Sequence, residues 1–155
     1  MGGNVVLFLI LLGAGRFWLG LTIGQALAGG AAALVLHWLG DLGHHLGHAW
    51  AARRTGHPMI GIRFWGFLST SVYPDDEGAL PAQVHMRRAL GGPLMSLALG
   101  LAAGLLAAAL FPLGGLPRYL SLFAALENLL MYGLGAFLPV GFTDGSTLLH
   151  WRGKA

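Results

Sequence analysis

The sequence predicts an all-α membrane protein of about four transmembrane helices, with a short β-strand or hairpin segment between the second and third. Three observations carry this reading. Of 155 residues, 55% are hydrophobic and only 10% are charged, against about 25% charged in an ordinary soluble domain. So few charges cannot coat a soluble protein of this size, and lipid must be the solvent for most of it. Apolar residues fall into four runs, each long enough to cross a hydrocarbon core of about 30 Å, which takes about 20 helical residues. The polar stretch between the second and third runs is rich in β-branched and aromatic residues instead.

The first run covers about residues 4–23 and is interrupted by Arg16. It lacks the charged n-region and small-residue cleavage site of a signal peptide, so it reads as a retained helix. The second covers about 26–53, with a soft boundary at Gly29 and Gly30. The third covers about 88–111 and the fourth about 119–138, separated by Pro112, Gly114, Gly115 and Pro117. Residues 58–73 carry Ile, Phe, Trp, Ser, Thr and Val broken by Gly61 and Gly66, which reads as a strand pair. Residues 74–81, with Asp75, Asp76 and Glu77, read as an exposed turn. With no internal repeat and no low-complexity tract, residues 1–155 form a single integral membrane domain.

Arg53, Arg54, Arg63, Arg87 and Arg88 flank or sit in the central loop, Arg152 and Lys154 lie at the C-terminus, and Arg118 falls in the opposite connection. The positive-inside rule then puts the central loop and both termini in the cytoplasm. The expectation is a multi-pass protein of a prokaryotic plasma membrane, with membrane lipid as its surroundings. There are no cysteines, which excludes disulfides, thiolate metal sites and cysteine nucleophiles. The net charge of +3 comes without a basic tract or interleaved aromatics, so nucleic acid has no support as a partner.

The second run holds five ionisable residues: His37, Asp41, His44, His45 and His48. Such groups are costly inside a membrane and default to function. Positions 37, 41, 44 and 48 recur at helical spacing and share one face, with His45 beside it. His44 and His48 stand one turn apart, which lets two imidazoles converge on a metal ion. A third protein ligand must then come from elsewhere. Two carboxylates lie in or near the other apolar runs, Glu127 and Asp144. Asp144 follows a Pro and Gly break after the fourth run, which lets it turn inward. A lone His37 reads as a hydrogen-bonded interior residue, and the whole stripe also fits a proton relay. For His44 and His48 together the metal reading is preferred.

The run His44-His45-Leu46-Gly47-His48-Ala49, followed by Ala51-Ala52-Arg53, resembles the H-E-L-G-H-A motif and Ala-Ala-Arg exit of the site-2 protease family of intramembrane zinc metalloproteases. Leu138-Pro139 through Asp144-Gly145 resembles the family's Leu-Pro motif ending in Asp-Gly. Gly92-Pro93 resembles its Ala-Gly-Pro helix start. The match covers about residues 30–150. The resemblance implies zinc held by His44, His48 and Asp144, and a transmembrane protein as substrate or partner. It also implies a strand region, including Ile60, Gly61, Ile62, Arg63 and Phe64, that accepts an extended substrate by edge pairing. Peptide bonds would be hydrolysed near the cytoplasmic face. Three positions depart from the family. His45 stands where it has its general-base Glu, Ser96 replaces the Asn after Gly-Pro, and Ala136 replaces the Asn before Leu-Pro. The metal scaffold is kept while the catalytic apparatus is thinned. His45 could itself serve as the base, with Asp41 or Glu127 as a supporting partner or alternative base. The alternatives are a metal-binding pseudoprotease without activity and a small structural subunit of a membrane complex.

Overall fold

A computed structural model describes residues 2–154. In lipid every backbone N–H and C=O must be paired within the chain, so apolar runs become helices. Helix α1 (Gly2–Gly13) continues through a wider π-helical turn, Ala14–Trp18. Thr22 and Gln25 then form a capping box: Gln25 N donates to Thr22 Oγ1 (3.3 Å) and Thr22 N donates to Gln25 Oε1 (3.0 Å). It opens α2 (Ile23–Arg54), 32 residues long. Strands β1 (Gly61–Trp65) and β2 (Leu68–Val72) pair antiparallel, Gly61 opposite Val72 and Trp65 opposite Leu68. Their two-residue connection needs a left-handed residue first, which Gly66 supplies at φ +64°. Helix α3 (Ala82–Ala109) follows. Helix α4 (Gly115–Leu126) widens into a π-helical stretch, Glu127–Leu134, and closes in a 3-10 turn, Gly135–Phe137. A short α5 (Asp144–Trp151) ends the chain.

The fold is mostly helical with one hairpin, as the sequence predicts, and the hairpin falls inside the predicted 58–73. Among the described residues, three helices are long and apolar enough to cross a membrane: α2, α3 and the continuous Gly115–Phe137. The helix in the first run is Gly2–Trp18. At 1.5 Å per residue it is about 25 Å long, and it stops before Gly20, which is left-handed at φ +65°. It lies against the N-terminal half of α2, where Gly30 faces Phe8 and Leu12, and its Gly3 abuts Gly66 of the hairpin turn. So α1 and the hairpin lie end to end along α2. Helix α3 begins well before the predicted 88, because hydropathy marks the apolar part of a helix and not its polar first turns. Helix α5 lies outside the four apolar runs, being short and of mixed polarity.

The bundle is polar inside and apolar outside. His37, Asp41, His44, His45, His48, Arg88, Ser96 and Asn128 are buried, and the buried apolar side chains are nearly all alanines. Leu39, Leu46, Leu94, Leu101, Leu105 and Leu130 are exposed. Helices α2 and α3 form the largest interface. Their backbones touch where Gly47 meets Gly91: a Cβ on Gly47 would lie 2.6 Å from Met95 Cβ and collide with the Gly91 carbonyl. Small residues at such crossings are the usual means of close helix packing in membranes.

Candidate metal centre

The close crossing of α2 and α3 brings the histidine stripe against the Gly91-Gly92-Pro93 segment of α3. His44 Nε2 and His48 Nε2 lie 3.0 Å apart. Asp144 closes a triangle with them: its Oδ2 is 3.3 Å from His44 Nε2 and its Oδ1 3.5 Å from His48 Nε2. A tetrahedral zinc site with bonds of about 2.0–2.1 Å has ligand–ligand edges of about 3.3–3.4 Å. The three edges bracket that value, so this donor set could hold a metal ion.

The outer ring nitrogens are fixed as such a site requires. His48 Nδ1 lies 2.8 Å from the Arg88 carbonyl, which can only accept, so Nδ1 carries the proton and Nε2 keeps a free lone pair. His44 Nδ1 lies 3.0 Å from Ser96 Oγ, and Ser96 is fully buried. Outer partners of this kind orient metal ligands and are worth about 10–100-fold in metal affinity. Gly92 makes the room: a Cβ there would lie 2.6 Å from His44 Nε2 and collide with His48.

Asp144 reaches the histidines because α4 breaks after Phe137 and the chain reverses. Gly141 takes φ +96°, Thr143 caps α5 by accepting from Ser146 N, and Asp144 stands in the first turn, where the helix dipole favours an anion. Gly145 packs on the backbone of Phe137, 2.8 Å from its Cα to the position of a Cβ. Burial pushes the Asp144 carboxyl up, but the two imidazoles beside it outweigh burial and hold it below its ordinary value.

A cavity of about 1060 Å³ opens beside the triangle, walled by α2, the hairpin, the first turns of α3, the π-helical and 3-10 stretch that follows α4, and α5. His45 faces it. Its Nδ1 is 2.9 Å from Ser71 Oγ on β2, and its Nε2 is 3.8 Å from Asp41 Oδ1, beyond hydrogen-bond range. Asp41 instead accepts from the Ser69 hydroxyl. Four consecutive residues of β2, Leu68–Ser71, border the cavity, so the free backbone edge of β2 faces it. Strand β1 contributes only Trp65. Ile60, Gly61, Ile62, Arg63 and Phe64 do not line the cavity, because β1 lies on the far side of β2; Phe64 packs edge-on against Trp38, centroids 5.4 Å apart. Ala136 does line it.

Glu127 lies elsewhere. Its Oε1 is 2.7 Å from His37 Nδ1, and the Tyr132 hydroxyl is 3.1 Å from the same nitrogen. His37 Nε2 donates to the Phe67 carbonyl at 2.8 Å. His37 is thus an interior hydrogen-bonded residue, with Glu127 as its partner. In the sequence Arg88 is one of the charges that flank the central loop. It is buried, donates twice to Glu77 (2.5 and 2.8 Å) and twice to the His57 carbonyl (2.6 and 3.2 Å), and lies 4.2 Å above the Tyr73 ring. The signal available in the sequence was an arginine at the head of an apolar run. Ser69 and Ser71, the two strand residues tied to the stripe, are marked by alternation along β2. No known family, curated protein or solved structure matches this chain.

Proposed function

We propose that the chain is an intramembrane zinc metalloprotease of the site-2 protease type, hydrolysing peptide bonds of membrane-embedded segments near the cytoplasmic face. The observation that supports it most is the His44–His48–Asp144 triangle beside a cavity bordered by a free strand edge. The three spanning helices and the apolar α1 make four membrane-inserted helices, with Arg53, Arg54 and Arg87 on the cytoplasmic side. Zinc, when bound, supplies Lewis acidity toward a carbonyl oxygen and toward water. The residues supply the rest. The edge of β2 pairs with an extended substrate, which needs partners for the backbone groups it exposes on unwinding. His45, tied to Ser71 through Nδ1, keeps Nε2 for a proton. Nε2 takes that proton from water as the water oxygen adds to the peptide carbon, then returns it to the leaving nitrogen as the C–N bond breaks.

A second reading is favoured by the engagement of His45 with the hairpin: a pseudoprotease that binds metal and holds a transmembrane partner without cutting it. The test is elemental mass spectrometry of the detergent-purified protein, followed by cleavage of a transmembrane peptide. One zinc per chain, lost in His48→Ala and Asp144→Ala, is expected. Loss of cleavage in His45→Ala and its retention in His45→Glu support the protease. Activity gained only in His45→Glu supports the pseudoprotease. Zinc no higher than in the two ligand variants overturns both.

A further inference from the structure

Polar contacts between α2 and the hairpin recur every fourth residue on the helix and every second residue on the strand side. His37 Nε2 donates to the Phe67 carbonyl, Asp41 accepts from Ser69, and His45 Nδ1 meets Ser71 Oγ. Four helical residues rise about 6.0 Å, and two strand residues rise about 6.6–6.8 Å. The two repeats differ by less than about 1 Å per step, so three rungs stay in register between a helix and a strand running the same way. The ladder has ends. One step beyond it α2 offers Ala49, and Tyr73 turns to Arg88 instead; one step before it stand Ala33 and Trp65. The same hairpin face carries Ile62 and Phe64, opposite Ser71 and Ser69 in the register, and Phe64 rests on Trp38. The first rung is braced from behind, because Glu127 and Tyr132 of the π-helical stretch after α4 both contact His37.

We propose that His37, Asp41 and His45, with Ser69 and Ser71, are positioning residues: a helix–strand register ladder that fixes the depth of β2 against α2, and with it the height of its free edge above the His44–His48–Asp144 triangle. A slip of β2 by two residues would move that edge by about 6.8 Å, and a slip by one would turn the serines away from α2 altogether. The histidine at the position of the family's base thereby joins the hairpin to the helix that carries His44 and His48. The ladder stands on its own contacts; its consequence for the metal cavity rests on the function proposed above.

The chain is free of cysteine, so spin labels placed on Arg63→Cys in β1 and Leu105→Cys in α3, both exposed, report the hairpin position by pulsed electron–electron distance measurement. The native ladder gives one narrow distance distribution. The Ser69→Ala/Ser71→Ala double variant broadens or shifts it, and Ser69→Thr/Ser71→Thr, which keeps both hydroxyls, restores it. Zinc content in the alanine pair stays at the native level, because neither serine contacts a metal-ligating histidine. An unchanged distribution in the alanine pair overturns the ladder, as does a threonine pair as broad as the alanine pair. The distances are read whether or not zinc is bound, so failure of the metal reading leaves this test standing.

Discussion

At the scale of single residues, Gly92 has the sharpest role. Alanine is preferred over glycine in a helix by about 1 kcal/mol, yet a methyl group here would enter the space where the two imidazoles converge. Gly92→Ala is expected to retain helical circular dichroism, to lose zinc to the level of His48→Ala, and to cost about 1–3 kcal/mol through overpacking. Elemental analysis and thermal unfolding of the same preparation check both halves. Native zinc content in this variant would place the ion away from the Nε2 atoms.

At the scale of elements, the segment between β2 and α3 is held by the clasp of Glu77 on Arg88. Hydrogen bonds from the Arg88 guanidinium hold the Glu77 carboxyl below its ordinary value against a smaller opposing effect of desolvation. Its folded pKa is therefore lower than its unfolded value of about 4.3. In that window the unfolded chain binds more protons than the folded one, so the clasp stabilises fully above the unfolded pKa and fades as pH falls through the folded pKa. Glu77→Gln is expected to melt lower than the native protein at pH 7, with the gap closing below about pH 4. Thermal unfolding in detergent at a series of pH values measures the gap; a gap that widens on acidification would show that the clasp does not act through this carboxylate. Arg88 also joins two elements directly, since its side chain grips the His57 carbonyl while its own carbonyl orients His48.

At the scale of the whole molecule, burial runs opposite to a soluble protein, with small and polar residues within and leucines without. That distribution is stable only in hydrocarbon, where exposed apolar area carries no penalty and buried polar groups pair with one another. A fluorophore on Leu105→Cys in lipid vesicles is expected to be quenched by nitroxide-labelled acyl chains. One on Ala125→Cys, where the native residue is 3% exposed, is expected to be quenched less. Stronger quenching of the Leu105 site by aqueous iodide would place that face of α3 in water.

Some of this was legible in the sequence because it depends on local pattern alone. Hydrophobic runs identify helices wherever lipid forbids unpaired backbone. A glycine-broken β-branched stretch identifies a hairpin, and the i, i+4 spacing of His44 and His48 places both rings on one face. Asp144 was within reach through the Pro and Gly break that precedes it. The rest was decided by tertiary structure, because it depends on which side chains meet across elements far apart in the chain. Hydropathy counts residues but not where a helix stops, so the first run read as a span while Gly20 ends its helix early. Composition located a strand pair but not which strand faces the His44–His48–Asp144 triangle, which is set by the ladder from α2. Charge spacing left Glu127 open to the metal and Arg88 among the loop charges; packing of α4 gave Glu127 to His37, and packing of the loop closed Glu77 and His57 over Arg88.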